Sequence, residues 1–552
     1  MPAWLNRRSP RSSSLELAGV LPRTTMLLAV LAVLVIWAVF VGTGLLGIDF
    51  GRHWDEPRLA VSVSEALRTG RFLPLFFVYP SIPYWLTLLP ALPRFVAGAH
   101  GAMQCLASVD PAVPVSWIPC YEQWTQSAAA GFDPTPVIRQ ARVLFLFASS
   151  LAVPFTALLT WTWRGRAAEA VLAAAVVGLS WEAAYHARWT APDGVLMAFS
   201  AATLWLVAQG VQRRSIGWLR IAAVSAACGA ATKLNGGILL LPVLVAGFLQ
   251  LRSRLPKGAV ALQLLSLAGL FAAAFLLLCP GPMIEPLQFV VEILHEHRHY
   301  ATGQPPYTVG AGPDHLWRLL VYLLGPFLSP RWWFGPILGA TALIGVVAAW
   351  KRSRAVALPV SILVVAYLAI VSVQRVMFVR NALLMAPALA SWCAWGVGAA
   401  AERLQSRYGR VVVPAVVGVV LLVNGGWLVS QASEIDEPSR PRHVLAASAV
   451  VAANPATLFY LSPRVTQAFS EQGRALGANV VNEPKKADVL VLWLAEVPVD
   501  AIPANRPNTF LFGLGAPEVN LNYYPSWLER DRIVAVRAST LVHLPGPRRS
   551  ER

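Results

Sequence analysis

The chain has 552 residues, of which 56% are hydrophobic and only 13% charged, with 21 Trp. That is far more apolar surface than one soluble core buries, so a soluble globular protein is excluded and a polytopic membrane protein expected. The formal net charge of +17 does not point to nucleic acid, because the basic residues fall mostly in short loops between apolar runs, where they orient spans.

The first apolar run, Thr24 to Ile48, exceeds a signal-peptide core and can cross about 30 Å of hydrocarbon, which predicts an uncleaved first span. Arg7, Arg8, Arg11 and Arg23 precede it and predict a cytoplasmic N-terminus. Asp55-Glu56-Pro57 follows, opening an amphipathic helix with Leu59, Val63, Ala66 and Leu67 on one face and Gly70 as its stop. Asp55 reads either as the cap of that helix or as a working carboxylate where bilayer meets water. Tyr84 to Gly98 is apolar but short and holds Pro90 and Pro93, which predicts an interfacial or re-entrant helix. Cys105 and Cys120 share this first outer loop and form a candidate disulfide pair, whereas Cys228, Cys279 and Cys393 read as small buried hydrophobes.

Ten further spans are expected near 138–163, 167–185, 194–211, 218–233, 235–250, 258–279, 332–350, 355–373, 382–400 and 411–431, about eleven in all. Loops bearing Arg164 and Arg166, Arg213 and Arg214, Arg252 with Arg254 and Lys257, Lys351 with Arg352 and Arg354, and Arg403 with Arg407 and Arg410 all fall on the cytoplasmic side of one topology. An odd span number then puts the tail outside. Its β-rich runs, Thr457 to Leu461 and Val489 to Leu494, and a helical pattern from Arg464 to Leu476 ending at Gly477, predict a small soluble α/β domain. The expected division is a transmembrane domain over 1–432 and an extracytoplasmic α/β domain over 433–552.

Asp193 stands at the outer end of a span, as a cap or as a second site acid, with His186 and Arg188 in the same short loop. Lys233, Arg375 and Arg380 fall on the outer side against the usual bias and need an anionic partner, either a lipid headgroup or a lipid phosphate. His295-Glu296-His-Arg-His299 fits the zinc-protease pattern of two ligands and a base on one helical face. It is disfavoured, because no Glu follows before Glu402 and no His stands at the longer motif's position. No metal is assigned, and the motifs neither require nor exclude a divalent ion.

Taken in order, Asp55-Glu56, the looser Tyr79-Pro-Ser-Ile-Pro-Tyr84, His186-Ala-Arg-Trp-Thr-Ala-Pro-Asp193, Ala231-Thr-Lys233-Leu-Asn235-Gly-Gly237, His299-Tyr300-Ala-Thr-Gly303 and Arg375 to Pro387 resemble a known series. It is that of the GT-C glycosyltransferases, in the family 39-like group of protein O-mannosyltransferases and lipid A aminoarabinose transferases, and it covers roughly residues 25–400. The resemblance implies an all-α polytopic GT-C membrane domain with long outer loops and interfacial helices. It implies transfer of a sugar, with inversion, from a polyprenyl-phosphate-linked donor to a protein, lipid or glycan acceptor on the non-cytoplasmic face.

On the same resemblance Asp55 is the base and Glu56 its support, since a base must deprotonate the acceptor and cations must steady the leaving phosphate. Lys233, Arg375 and Arg380 are then the donor-phosphate residues, and His186, Arg188, Asp193, Tyr79 and Tyr300 the substrate-binding ones. The expected partners are the lipid-linked donor and membrane lipids, with the acceptor open. Arg outnumbers Lys, which supplies five of 45 basic residues, as a GC-rich bacterium would have it; the expected location is a bacterial inner membrane. The competing class is a transporter or flippase, which would place its decisive polar groups near mid-membrane rather than at one surface.

Overall fold

The computed structural model describes residues 23–48, 53, 55–110, 113, 116–303, 307–404, 409–435, 442–471, 473–493, 509–512 and 533–537. Arg7, Arg8, Arg11 and Arg407, used above to orient the chain, and most of the tail beyond residue 493 lie outside them. Helix α1 (Arg23–Leu45) is apolar on every side and shows lipid-sized side chains outward, with Leu27, Leu28 and Leu31 exposed. Four helices build the loop that follows: α2 (Glu56–Thr69), α3 (Ser81–Leu88), α4 (Leu92–Ala107) and α5 (Ile118–Ala129). In α2, Leu59, Val63, Ala66 and Leu67 are buried as their spacing predicts, and Gly70 ends the helix at φ 64°. A disulfide between Cys105 and Cys120 ties α4 to α5 with the Cα atoms 5.4 Å apart.

The remaining apolar runs are also helical. They are α6 (Pro134–Ser150) continued by α7 (Ala152–Arg164), α8 (Ala167–Gly178) with α9 (Trp181–Ala187), α10 (Pro192–Arg213), α11 (Ile216–Thr232), α12 (Leu240–Leu251) and α13 (Lys257–Leu278). After two helices between spans, α14 (Pro286–Thr302) and α15 (Pro313–Leu323), come α16 (Phe334–Arg352), α17 (Arg354–Ser372), α18 (Ala386–Arg403), α19 (Gly409–Val420) and α20 (Gly426–Ile435).

Among the described residues nine helices are long and apolar enough to cross a membrane, and the pair α8–α9, bent by 58°, makes ten. The eleventh run is α11, which stops at 17 residues because Lys233 turns extended, at φ −154° and ψ 132°. The pair breaks at Leu179 and Ser180, where the Ser180 hydroxyl accepts from the Ala183 N–H at 3.4 Å and starts a new helix.

Every residue of α8 except Ala168 is buried, so this helix lies inside the bundle. Helices α16 and α18 cross in backbone contact, since a Cβ on Gly345 would strike the Trp392 carbonyl and one on Gly396 the Thr341 carbonyl. Ions lock one end of the bundle. Arg164 donates to Glu169 at 2.5 and 2.8 Å and to Glu402 at 2.9 Å, Arg166 pairs with Glu402 at 2.7 Å, and Arg352 also pairs with Glu402.

Beyond the spans, α21 (Arg442–Ala453) and α22 (Pro463–Glu471) accompany a five-stranded sheet. Its strands are β1 (Phe459–Leu461), β2 (Val480–Val481), β3 (Val489–Trp493), β4 (Thr509–Phe512) and β5 (Ile533–Arg537), in the order β2-β1-β3-β5-β4. Strand β1 runs parallel to β2 and β3, while β5 runs antiparallel to β3 and β4. Helix α22 ends at Glu471, short of the expected Leu476; Gly473, at φ 62°, turns the chain just beyond it.

Candidate active site

Arg188 prepares the site by closing the end of α1. Its Nη2 donates to the carbonyls of Thr43 at 3.1 Å and Gly44 at 3.2 Å, and to that of Leu46, the acceptors a helix C-terminus leaves open. The chain then turns back so that His53, Asp55 and Glu56 are all buried.

Glu56 is held on all sides. Its carboxylate takes a bidentate pair from Arg142 Nε and Nη2 on α6, both at 2.7 Å, and accepts from the backbone N–H of His53 at 3.0 Å and of Thr190 at 3.4 Å. Arg142 Nη1 also donates to the Ile48 carbonyl at 2.7 Å, and its guanidinium lies 4.7 Å from the Trp189 ring. Glu56 therefore joins the loop to α6 and to the approach of α10.

Asp55 is held differently. It occupies the N-cap position of α2, yet its side chain makes no capping hydrogen bond. Instead Oδ1 accepts from the Tyr79 hydroxyl at 2.6 Å, and Oδ2 lies 3.3 Å from Arg380 Nη2. Burial pushes the Asp55 carboxyl above its ordinary range, against the opposing pull of Arg380 and the Tyr79 hydroxyl.

Asp193 sits in the first turn of α10, again without capping the helix. Its Oδ1 accepts from Lys233 Nζ at 2.7 Å, and its Oδ2 lies 3.4 Å from Arg380 Nε. Lys233 also donates to Asn381 Oδ1 at 2.7 Å, and Asn381 Nδ2 donates to the Tyr300 hydroxyl at 3.5 Å. The result is a continuous network from Tyr79 through Asp55, Arg380, Asp193, Lys233 and Asn381 to Tyr300. Its two acids balance its two cations. The anion that Lys233 and Arg380 were expected to need from outside is already inside the protein, as Asp193 and Asp55.

Other predicted residues stand apart from this network. Arg375 is exposed and organises its loop through its backbone, donating to the Tyr300 carbonyl at 2.8 Å and accepting from the Val309 N–H at 2.9 Å. His186 is buried with Nε2 3.5 Å from Glu182 Oε2, and Arg188 is committed to the end of α1. His295, Glu296 and His299 lie on α14, with His295 exposed. Among the described residues no three His, Cys, Asp or Glu side chains converge as metal ligands.

Sequence reasoning passed over Arg142, His53 and Asn381. Arg142 carried a signal, since with Arg139 it falls inside the apolar run expected over 138–163, and a charge there needs a partner. Asn381 carried none beyond lying next to Arg380.

Residues 120–291 match the family model of dolichyl-phosphate-mannose-protein mannosyltransferase, a segment that contains Arg142, Asp193 and Lys233 but neither Asp55 nor Arg380. No curated protein matches the chain. Among solved structures, ArnT from Cupriavidus metallidurans bound to undecaprenyl phosphate is similar at 17% identity and a TM-score of 0.45, over 95% of this chain and 99% of that one. The apo oligosaccharyltransferase of Archaeoglobus fulgidus is similar at 12% identity and a TM-score of 0.38, over 79% of this chain and 65% of that one. The archaeal oligosaccharyltransferase AglB of the same organism, in complex with an inhibitory peptide and a dolichol-phosphate, is similar to the same extent.

Proposed function

We propose, on the premise that residues 120–291 fall within the dolichyl-phosphate-mannose-protein mannosyltransferase family, that this chain transfers a sugar from a polyprenyl-phosphate carrier to a hydroxyl of a protein, lipid or glycan acceptor. The observation that carries the reading is a buried carboxylate, Asp55, 3.3 Å from a buried guanidinium, with a second acid and a lysine next in line. A base and cations for a departing phosphate are the two needs of the reaction. Asp55 takes the acceptor's proton while the acceptor forms its bond to the anomeric carbon. The bond from that carbon to the phosphate oxygen breaks with inversion, and Arg380 and Lys233 steady the charge left on the phosphate. Glu56 serves by holding the loop, and Tyr79 and Tyr300 flank the substrate.

The site faces the non-cytoplasmic side in this reading, and residues 433–552 form a domain on that same side. Two observations support the orientation. The loop bearing Asp55 holds the Cys105–Cys120 disulfide, a bond that persists in oxidising compartments. The opposite end of the bundle gathers Arg164, Arg166 and Arg352.

Asp55→Asn keeps the side chain's shape and removes its basicity, so turnover of a lipid-phosphate sugar should fall about 10²- to 10⁴-fold with insertion unchanged. Wild-type turnover by this variant, measured with purified protein in nanodiscs, removes Asp55 as the base. Binding of the carrier separates the two arginines: Arg380→Ala should weaken it about ten- to a hundredfold, and exposed Arg375→Ala far less.

A further inference from the structure

His53 has no role in the reaction as written, yet it is buried and touches both of the groups that the reaction divides between base and phosphate. Arg380 Nη1 lies 2.8 Å from its Nε2, while the Asp55 backbone N–H points at its Nδ1 at 3.2 Å and Asp55 Oδ2 lies 3.4 Å from the same nitrogen. Burial, with Arg380 close by, holds the imidazole well below its ordinary pKa, so the ring is neutral. A neutral imidazole accepts through one nitrogen and donates through the other. Arginine has no lone pair to offer, so the shorter contact must use the lone pair on Nε2. Nδ1 faces a donor as well, the Asp55 backbone N–H, and a neutral ring accepts at one nitrogen only; the shorter contact assigns the lone pair to Nε2 and the ring proton to Nδ1, beside Asp55 Oδ2, an oxygen that accepts no other hydrogen bond among the described residues.

Of the polar contacts that Arg380 makes with His53, Asp55 and Asp193, the one to His53 is the shortest, at 2.8 Å against 3.3 and 3.4 Å. The two carboxylates are the contacts a phosphate would compete with. The imidazole is not, because it is uncharged and sits on the remaining corner of the guanidinium. We infer that His53 is a positioning residue: it holds the Arg380 guanidinium by one corner so that its other N–H groups stay aimed at the carrier phosphate, and it keeps Asp55 beside them. The inference rests on the function proposed above, and it adds a fixed link between the phosphate-binding cation and the base. Held this way, Arg380 can turn from the acids to the phosphate without leaving the site, which lowers the ordering cost of binding.

The test is a double-mutant cycle on binding of undecaprenyl phosphate, without a sugar, to the full chain in nanodiscs. His53→Leu should weaken binding about tenfold or more, as Arg380→Ala does, and the double variant should bind no worse than Arg380→Ala alone. His53→Gln, whose amide both accepts and donates, should retain most of the affinity, and the shorter His53→Asn should not. If His53→Leu does not reach the membrane, the contrast between Gln and Asn carries the test. Additive losses in the cycle, or equal affinities for the Gln and Asn variants, overturn the positioning role and leave the proposed function standing. Failure of the wild-type chain to bind undecaprenyl phosphate overturns both.

Discussion

Two adjacent acids in this chain have opposite surroundings, and the proposed function divides their work along that difference. Glu56 faces the bidentate fork of Arg142 and two backbone N–H groups, so it has no lone pair ready for a substrate. Asp55 keeps Oδ2 toward a cation at 3.3 Å, with its other oxygen fixed by Tyr79. With Asp55 as the proposed base, its raised carboxyl sets the pH behaviour. A base works ionised, so activity should fall as pH drops through a value above the ordinary carboxylate range. Tyr79→Phe removes a hydrogen bond that favours the ionised form, so the acid limb of the turnover profile should move to higher pH. A limb that stays in place separates Tyr79 from the base.

The Glu56–Arg142 pair makes a stability prediction instead. Glu56→Gln or Arg142→Leu alone leaves one buried charge unpaired and should cost about 3–5 kcal/mol, while the double variant should melt above either single one. Thermal unfolding in detergent checks the order. At this scale the sequence singled out Asp55 and Glu56 by their place at the end of a span, and the structure buries both. The sequence did not reveal that Lys233 and Arg380 find their counter-charges within the chain. Asp193 and Lys233 are 40 positions apart, and only the fold brings them to 2.7 Å.

Helices in this bundle meet through missing side chains as much as through present ones. At the crossing of α16 and α18, Gly345 and Gly396 each place a backbone carbonyl where a Cβ would go. Gly396→Ala should therefore force the helices apart at a cost of about 1–3 kcal/mol, and Gly345→Leu more. The same substitution at Gly418, which has open space around it, should cost much less, so the three melting temperatures together test the crossing. Apolar length sufficed to find all eleven helical runs in the sequence. It could not find the bend between α8 and α9, because a break of two residues, Leu179 and Ser180, barely alters the hydropathy of a run. The span expected near 194–211 starts two residues earlier, at Pro192, which puts Asp193 inside the first turn of α10; that its carboxylate turns to Lys233 instead of capping depends on a residue of another element.

At the scale of the whole molecule the two ends of the bundle hold different ion clusters. One end couples Asp55 and Asp193 to Arg380 and Lys233; the other couples Glu169 and Glu402 to Arg164, Arg166 and Arg352. If the first end is extracytoplasmic, a reporter fused after residue 440 should be exported and one placed in the loop of Arg252 and Arg254 should stay inside. Export of both, or of neither, contradicts the alternation of spans.

The network that joins α1's exit to the start of α18 also has an order in time. During synthesis the ribosome delivers Asp55 first, then Asp193 and Lys233, and Arg380 only after α17 has been made. Each acid must wait in the nascent chain for a cation encoded later, and Asp55 waits longest, 325 residues by the numbering of the two positions. Glu56 waits only 86 residues for Arg142, by the numbering of the two positions, and can meet it as α6 enters the membrane. The Glu56–Arg142 pair can thus close early in biogenesis, whereas the Asp55–Arg380 pair closes nearly last, so a chain interrupted before Arg380 would carry a formed loop and an unbalanced Asp55.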